Sequence, residues 1–482
     1  MTLSNALHSA MSGLVAAGRA SGVVSANIAN AMNPGYARRS LTLAANARSG
    51  PGVLVVGVER HADPVLIANR RAADAASASA TALADFHARV ETLVGRAGDP
   101  ASLGLRLADF ESSLVVAASR PESAQHLDTM AARARDLAAA ISGAAEGIAT
   151  MRSRADRTIG AQVEQINHAL AQTRQLNIRI TAAGSAGSDI NAMLDQRQKL
   201  VDEINRIVPV NVIKRDHGQI ALYSEGGAIL LDGSAATLEF SPVTRTAPHM
   251  TAENGLLSGL GINGVPVNTG ETGAIGGGAL AAQFRIRDDL AVSAQADLDA
   301  LARDLIERFE APGLDPSLVP GQPGLFTDAG AAFDPASETG LAGRIAVNAL
   351  ADPSQGGDSW KLRAGLGAAV PGEVGDARLL RAFAETLSEG RTMASGRFGT
   401  GLLDAAGASA GLMSRAAQNR ALADRALGFA SAAQTEMNRL ELEQGVDTDA
   451  ELQTLMIVEQ AYAANARLIE AVDDMMQTLL RL

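Results

Sequence analysis

Residues 448–480 read TDAELQTLMIVEQAYAANARLIEAVDDMMQTLL. Leu455, Val458, Tyr462, Asn465, Ile469, Val472, Met476 and Leu479 recur at alternating three- and four-residue intervals, the spacing of a coiled-coil seam. Only Asn465 is polar. A buried Asn at a seam costs stability but fixes register or partner number. Gln444-Gly445-Val446-Asp447 interrupts the helical pattern just upstream. Thr448, with Glu451 three residues on, then predicts a capping box: the hydroxyl accepts from a first-turn N–H and the carboxylate reaches back to the cap N–H. Fixing one residue's backbone costs roughly 1–2 kcal/mol, whereas burying a large apolar side chain gains roughly 1.5–3 kcal/mol. A lone helix with one such side chain in every three or four residues is marginal, so this end needs a partner surface. A core helix at the end of a domain has the same periodicity.

The opposite end carries a matching pattern. Leu3, Leu7, Ala10, Leu14, Ala17, Ser21, Val24 and Ile28 follow the same spacing, weakened by Gly13, Gly18 and Gly22. Asn33-Pro34-Gly35 breaks the helix. Two seams at opposite ends predict a mutual pair.

Between them the chain goes out and comes back. Residues 40–60 alternate or run apolar and read as short strands. Helical periodicity then holds from about Val65 to Ile207, and 127–182 reads as one very long helix. Residues 208–278 turn strand-like, with turns at Asp216-His217-Gly218, Gly226-Gly227 and Asp232-Gly233. Helix returns over 279–311, a Pro/Gly-rich stretch follows, and helix resumes near Arg378. The expected fold is α+β, mainly α: an elongated, nested, multidomain chain with paired terminal helices, a helical bundle and a β-rich outer domain. The expected units are 1–62 with 446–482; 63–207 with 279–311 and 378–445; 208–278; and a β-containing insert over 312–377.

Composition narrows the partners. At 482 residues the chain is too long for one core. A net charge of −12 argues against nucleic-acid backbones and anionic membrane surfaces. With no cysteine, disulfides and thiolate metal sites are excluded. The N-terminus lacks a basic region and an unbroken apolar run, so no cleavable secretory signal or membrane insertion is expected.

A search for chemistry finds none. His8, His61, His87, His126, His168, His217 and His249 make no metal-binding spacing. Gly259-Leu260-Gly261-Ile262-Asn263-Gly264 matches a dinucleotide fingerprint only formally: Val265-Pro266-Val267 follows where a helix must start. The acidic pairs Asp288-Asp289 and Asp473-Asp474 point to different helix faces and read as solvated. No catalytic, metal or cofactor site is expected.

Two motifs carry a resemblance. Ser12-Gly13-Leu14 with Asn27-Ile28-Ala29-Asn30-Ala31-Met32-Asn33-Pro34-Gly35-Tyr36 resembles the N-terminal signature of flagellar rod, hook and hook-associated proteins. Glu459-Gln460-Ala461-Tyr462-Ala463-Ala464-Asn465-Ala466-Arg467 is similar to the matching C-terminal end. Asn69-Arg70-Arg71, the run from Leu194 to Asp202, and Gly276-Gly277-Gly278 resemble interior segments of the hook–filament junction branch. The turn departs from the family, which usually has Thr before Pro and Ser-Arg-Gln after Tyr. The resemblance implies a non-enzymatic structural subunit, exported unfolded after a transient cytoplasmic stage and assembled at the distal hook end. It implies contacts with further copies, the hook protein, the next junction protein and the filament, and an export chaperone at the C-terminal helix. The implied assembly interface is Leu3, Leu7, Leu14, Asn27, Ile28, Asn30, Pro34, Gly35 and Tyr36 with the eight C-terminal seam residues. A rod or hook subunit of the same superfamily, or a soluble helical scaffold, are the alternative readings.

Overall fold

The computed structural model describes residues 3–33, 35–45, 52–96 and 98–481. Helix α1 (Leu3–Asn30) leads into an antiparallel hairpin, β1 (Arg39–Ala45) with β2 (Val53–Arg60), whose register shifts between Thr42 and Leu43. Helix α2 (Pro64–Val94) starts cleanly. Asp63 accepts from the N–H groups of Val65 and Leu66, and Pro64 takes the first turn, where no donor is needed. Helix α3 (Leu103–Ser119) is capped by Ser102.

Helix α4 (Ala124–Ser185) is the 62-residue helix the periodicity predicts, roughly 93 Å long at about 1.5 Å per residue. Its buried face passes through two separate apolar cores. The first half packs with α3, and with elements further along: the end of α2, α7 (Ala291–Phe309), α9 (Arg378–Ser388) and the start of α10 (Ala405–Glu443). Phe110, Phe309, Phe326 and Phe383 meet edge-on or tilted at its centre, with ring centroids 5.2–6.1 Å apart.

The second half of α4 packs with α5 (Asn191–Ile207) and the β-rich segment. There β3 (Val210–Lys214), β4 (Ile220–Ser224), β5 (Ile229–Asp232) and β6 (Ser234–Ala235) form one sheet in that order. A second sheet holds β7 (Leu238–Glu239), β8 (Leu260–Ile262) and β9 (Val265–Val267). The formal dinucleotide fingerprint is the β8–β9 hairpin, with Asn263 and Gly264 at φ 52° and 79°, the torsions of a tight primed turn.

Gly277 and Gly278 have φ 78° and 67° and bring the chain against α5 before α6 (Gly278–Arg285). A Cβ on Gly278 would lie 2.5 Å from the Ile207 carbonyl oxygen, so only glycine fits. Between α6 and α7 the helix widens into a π turn at Ile286–Leu290. This turn holds Arg287 at the waist where one core gives way to the other. Arg287 is fully buried and meets Asp156, also fully buried, at 2.8 Å. Arg152 lies alongside and donates to the carbonyls of Arg287, Ala247 and Met250.

The Pro/Gly-rich stretch 312–377 contains β10 (Phe326–Asp328) paired with β11 (Ile345–Val347), and the single-turn helix α8 (Lys361–Ala364). Its Leu325, Phe326, Leu341, Val347, Leu362 and Leu366 lie in the first core, so this stretch shares the packing of the helical bundle. A last short pair, β12 (Arg391–Thr392) with β13 (Leu402–Leu403), precedes α10.

Helix α11 (Thr448–Leu480) closes the chain and lies against α1. Its start corrects one expectation. The cap is Asp447, whose Oδ1 accepts from the N–H groups of Asp449 and Ala450, and Thr448 is the first helical residue. Glu451 does not turn back on the cap, because residues of the N-terminal segment claim its carboxylate.

Candidate assembly site at the paired termini

The two terminal helices run antiparallel. Gly13 faces Asn465 near the middle of the pair and Asn27 meets Glu451 near one end. Asn27 is fully buried and uses its whole amide. Its Nδ2 donates to the Arg39 carbonyl at 2.8 Å and to Glu451 Oε2 at 3.0 Å. Its Oδ1 accepts from the Arg39 N–H at 3.0 Å and the Tyr36 hydroxyl at 2.9 Å. Glu451, 1% exposed, also takes Arg38 Nε at 2.7 Å. One amide thus fixes the end of α1, the turn after it and the first turn of α11.

Tyr36 is packed into this corner. Its ring lies under the Arg39 guanidinium, 4.8 Å from centroid to Cζ. Burial raises the phenol above its ordinary pKa, against the opposing pull of Arg39. Gly35, at φ 80°, lets Lys199 pass over the turn, and Lys199 Nζ donates to Asn33 Oδ1 at 2.9 Å.

The corner is bolted to the rod by charges. Asp195 of α5 receives Arg39 at 2.6 Å and Arg60 at 2.7 Å. Arg70 of α2 meets Asp74, Asp202 and Glu441 at 2.6, 2.8 and 2.5 Å, and Arg71 meets Asp202 at 2.6 Å. Burial works against the charge on Arg70, but Asp202, Glu441 and Asp74 outweigh it and raise its pKa. Of these, Arg70 and Arg71 belong to the Asn69-Arg70-Arg71 segment and Asp195 and Asp202 to the Leu194–Asp202 segment. Sequence reading singled out both segments but not their contact. The one signal was that one segment holds two arginines and the other two aspartates; nothing local says they meet.

The expected interface residues divide. Asn27 and Val472 are buried; Leu3, Leu7, Leu14, Ile28, Asn30, Gly35, Tyr36, Leu455, Val458, Asn465 and Ile469 are half-buried. Tyr462, Met476 and Leu479 stay 46%, 42% and 59% exposed. Pro34 lies outside the described residues. The α1–α11 contact thus covers only part of the two seams, and Met11, Val15, Met456 and Ile457 add to the open apolar surface. No group of side chains suited to a metal ion is found among the described residues, and no described helix is long and apolar enough to cross a membrane.

A family model described as the flagellar hook-associated protein FlgK helical domain matches residues 87–314, which span both cores. One described as the flagellar basal body rod FlgEFG protein C-terminal matches 443–482, which contains α11. Over its helical middle the chain is similar to flagellar hook-associated protein 1. Flagellar hook-associated protein 1 of Escherichia coli is 30% identical over 285 residues, 57% of this chain and 52% of that protein. The chain thus spans about half the length of that relative. Flagellar hook-associated protein 1 of Bacillus subtilis is 23% identical over 490 residues, 94% of this chain and 93% of that protein. The flagellar hook junction protein FlgK from Burkholderia pseudomallei has a solved structure similar to 54% of this chain and covered over 46% of its own length, at TM-score 0.45 and 22% identity. In this chain the latch around Asn27 and Glu451 joins two residues 424 positions apart.

Proposed function

We propose that the chain is a structural, non-catalytic subunit of the flagellum that joins hook to filament. The observation that carries this reading is the antiparallel pair α1–α11, latched through Asn27 and Glu451, with part of each apolar seam left open. A pair that satisfies its polar corner internally and leaves apolar surface outside is suited to packing among further subunits. Contacts that propagate between copies are heterologous, and the unlike ends of this rod suit that geometry. The terminal unit is 1–62 with 446–482; the rod is 63–207 with 279–311 and 378–445; 312–377 is an insert packed into the rod's first core, and 208–278 is the outer addition. The seam residues, including exposed Tyr462, Met476 and Leu479, are the assembly surface. Neighbours are further copies, the hook protein, the next junction protein and the filament, reached after export in an unfolded state with a chaperone over α11.

The test is electron microscopy of cells lacking this protein. Hooks present and filaments absent, with filaments restored by re-expression, is the expected result. Filaments on the deletion strain overturn the reading. Missing hooks point instead to a rod or hook subunit.

A further inference from the structure

A cleft of 580 Å³ opens between the end of β2, the start of α2, α5 and the β3–β4 hairpin. Its walls are apolar at Ile67, Leu194, Val201 and Ile220. Its charged residues are Arg60, Arg71, Arg197, Lys214, Arg215 and a single acid, Glu225. Three of the cations are already answered: Arg60 by Asp195, Arg71 by Asp202, and Arg215 by Asp232. Arg197 and Lys214 are not.

Arg197 is the unusual one. It is only 9% exposed, yet it has no carboxylate partner among the described residues. Its Nη1 donates to two neutral acceptors, Asn177 Oδ1 at 2.9 Å and the Gly218 carbonyl at 2.7 Å. Nε and Nη2 make no hydrogen bond among the described residues. Burial, helped by Arg60, lowers the guanidinium to about 10. A buried cation without a counter-charge is costly unless something supplies one. Lys214 stands exposed at the rim, also without a partner among the described residues.

We propose that this cleft receives a carboxylate side chain from a second copy of the chain. A carboxylate offers two acceptor oxygens that match the paired N–H donors of a guanidinium edge, and the apolar walls take the methylene that carries it. The occupant follows from charge. With 53 acidic against 41 basic residues, each copy approaches with carboxylates in excess, and a basic recess complements that charge. The cleft also reaches Arg60, whose ion pair with Asp195 ties the end of β2 to α5, so its filling would brace that junction. The inference rests on the assembly reading above.

The test places a photo-reactive benzoyl-phenylalanine at Val212, a partly exposed rim residue, in the full-length chain within flagellated cells. Irradiation is expected to give an adduct of twice the 49.5 kDa chain mass, cross-linked through an Asp- or Glu-containing peptide of the same chain. Arg197→Gln and Lys214→Glu should each reduce that adduct at least tenfold. Lys214 has no internal partner to lose, so its variant keeps the test decisive if Arg197→Gln fails to assemble. Adducts only to another protein, no adduct, or a self-adduct unchanged by Lys214→Glu overturn the proposal. Immunolabelling separates the two levels. A chain absent from flagella sinks the functional reading and this inference together, whereas a chain present there without the self-adduct sinks the cleft alone.

Discussion

Asn465 of α11 sets its amide against the bare backbone of Gly13 in α1: a Cβ on Gly13 would lie 2.7 Å from Nδ2 and 2.8 Å from Oδ1. The polar residue of one seam is therefore housed by the glycine of the other. Gly18 and Gly22 differ, since a Cβ there meets nothing within 4 Å. Gly13→Leu should open the α1–α11 pair, at a cost of about 1–3 kcal/mol for overpacking. Gly18→Ala and Gly22→Ala should strengthen it, each by up to about 1 kcal/mol of helix propensity. Amide hydrogen exchange along α1 reads both signs. Equal effects at all three glycines would mean that Gly13 has no special seat.

At the latched end of the pair the order of costs follows from burial. Asn27 makes four hydrogen bonds in full burial, and the Glu451 side chain is 2% exposed while that of Arg38 is 39% exposed. Removing a buried partner strands the others, at about 1–3 kcal/mol per unsatisfied group. Asn27→Ala and Glu451→Ala should therefore destabilise the terminal pair more than Arg38→Ala, whose partner keeps Asn27. Exchange protection of α11's first turns is the measurement. An Arg38→Ala effect as large as that of Glu451→Ala contradicts the latch.

That latch marks the limit of what the sequence discloses. The long α4 was legible because its apolar residues keep one face from Leu127 to Ile180 without a proline. Its glycines did not break it, and two serve as seats: a Cβ on Gly147 would meet Leu93, and one on Gly160 would meet Pro242. The start of α11 was misread because Thr448 and Glu451 have the spacing of a local box. The acceptors that Asn27 and Arg38 need lie more than 400 residues away in sequence, and local spacing carries no trace of them. Likewise, the scarcity of regular pattern over 312–377 suggested an insert. Scattered residues such as Leu325, Leu341 and Leu362 fill the first core without any period to reveal it.

The waist of the rod supplies a sharper energetic test. Arg287 and Asp156 have no exposed side-chain surface, and Asp156 also accepts from the Val243 N–H at 2.7 Å. Breaking a buried pair costs about 3–5 kcal/mol where one charge is left unanswered; here Asp288 still meets Arg287 at 2.7 Å and softens that cost, and replacing both members with apolar groups costs less still. Asp156→Leu should thus destabilise the rod, chiefly by stranding the Arg287 Nη1 and Val243 N–H donors that Asp156 accepts, and Asp156→Leu with Arg287→Met should recover part of the loss. Denaturant unfolding of the two variants decides it. A double variant worse than the single would show that Arg287 acts through its other bonds.

Acid should loosen the seam between α2 and α10 through Glu91. Burial pushes this carboxyl up, but Arg420 and Arg96 together hold its pKa below the ordinary carboxylate range. A carboxyl depressed in the folded state stabilises above its unfolded pKa, and that stability is lost as pH falls through the folded pKa. Arg96 is mostly exposed, so solvent screens part of the gain, and about 1 kcal/mol or less is expected. Stability measured from pH 7 downward should fall below the ordinary carboxylate range, and Glu91→Gln should flatten that slope. An unchanged slope in the variant would assign the acid loss to other carboxyls.

The last prediction concerns the independence of the rod. Neither apolar core contains a residue beyond Ala416 among its buried members, so α11 contributes to neither. Deleting residues 448–482 should leave the unfolding transition of the rod in place. It should also strip α1 of its partner, leaving Val24, Ala16 and Ala17 uncovered and α1 open to protease and to hydrogen exchange. Cells carrying only the truncated chain should show hooks without filaments. Loss of the rod's own transition would mean that α11 stabilises the rod through the charged corner at Asp195 and Arg70. Motile cells with full filaments would mean that the paired termini are not the assembly surface.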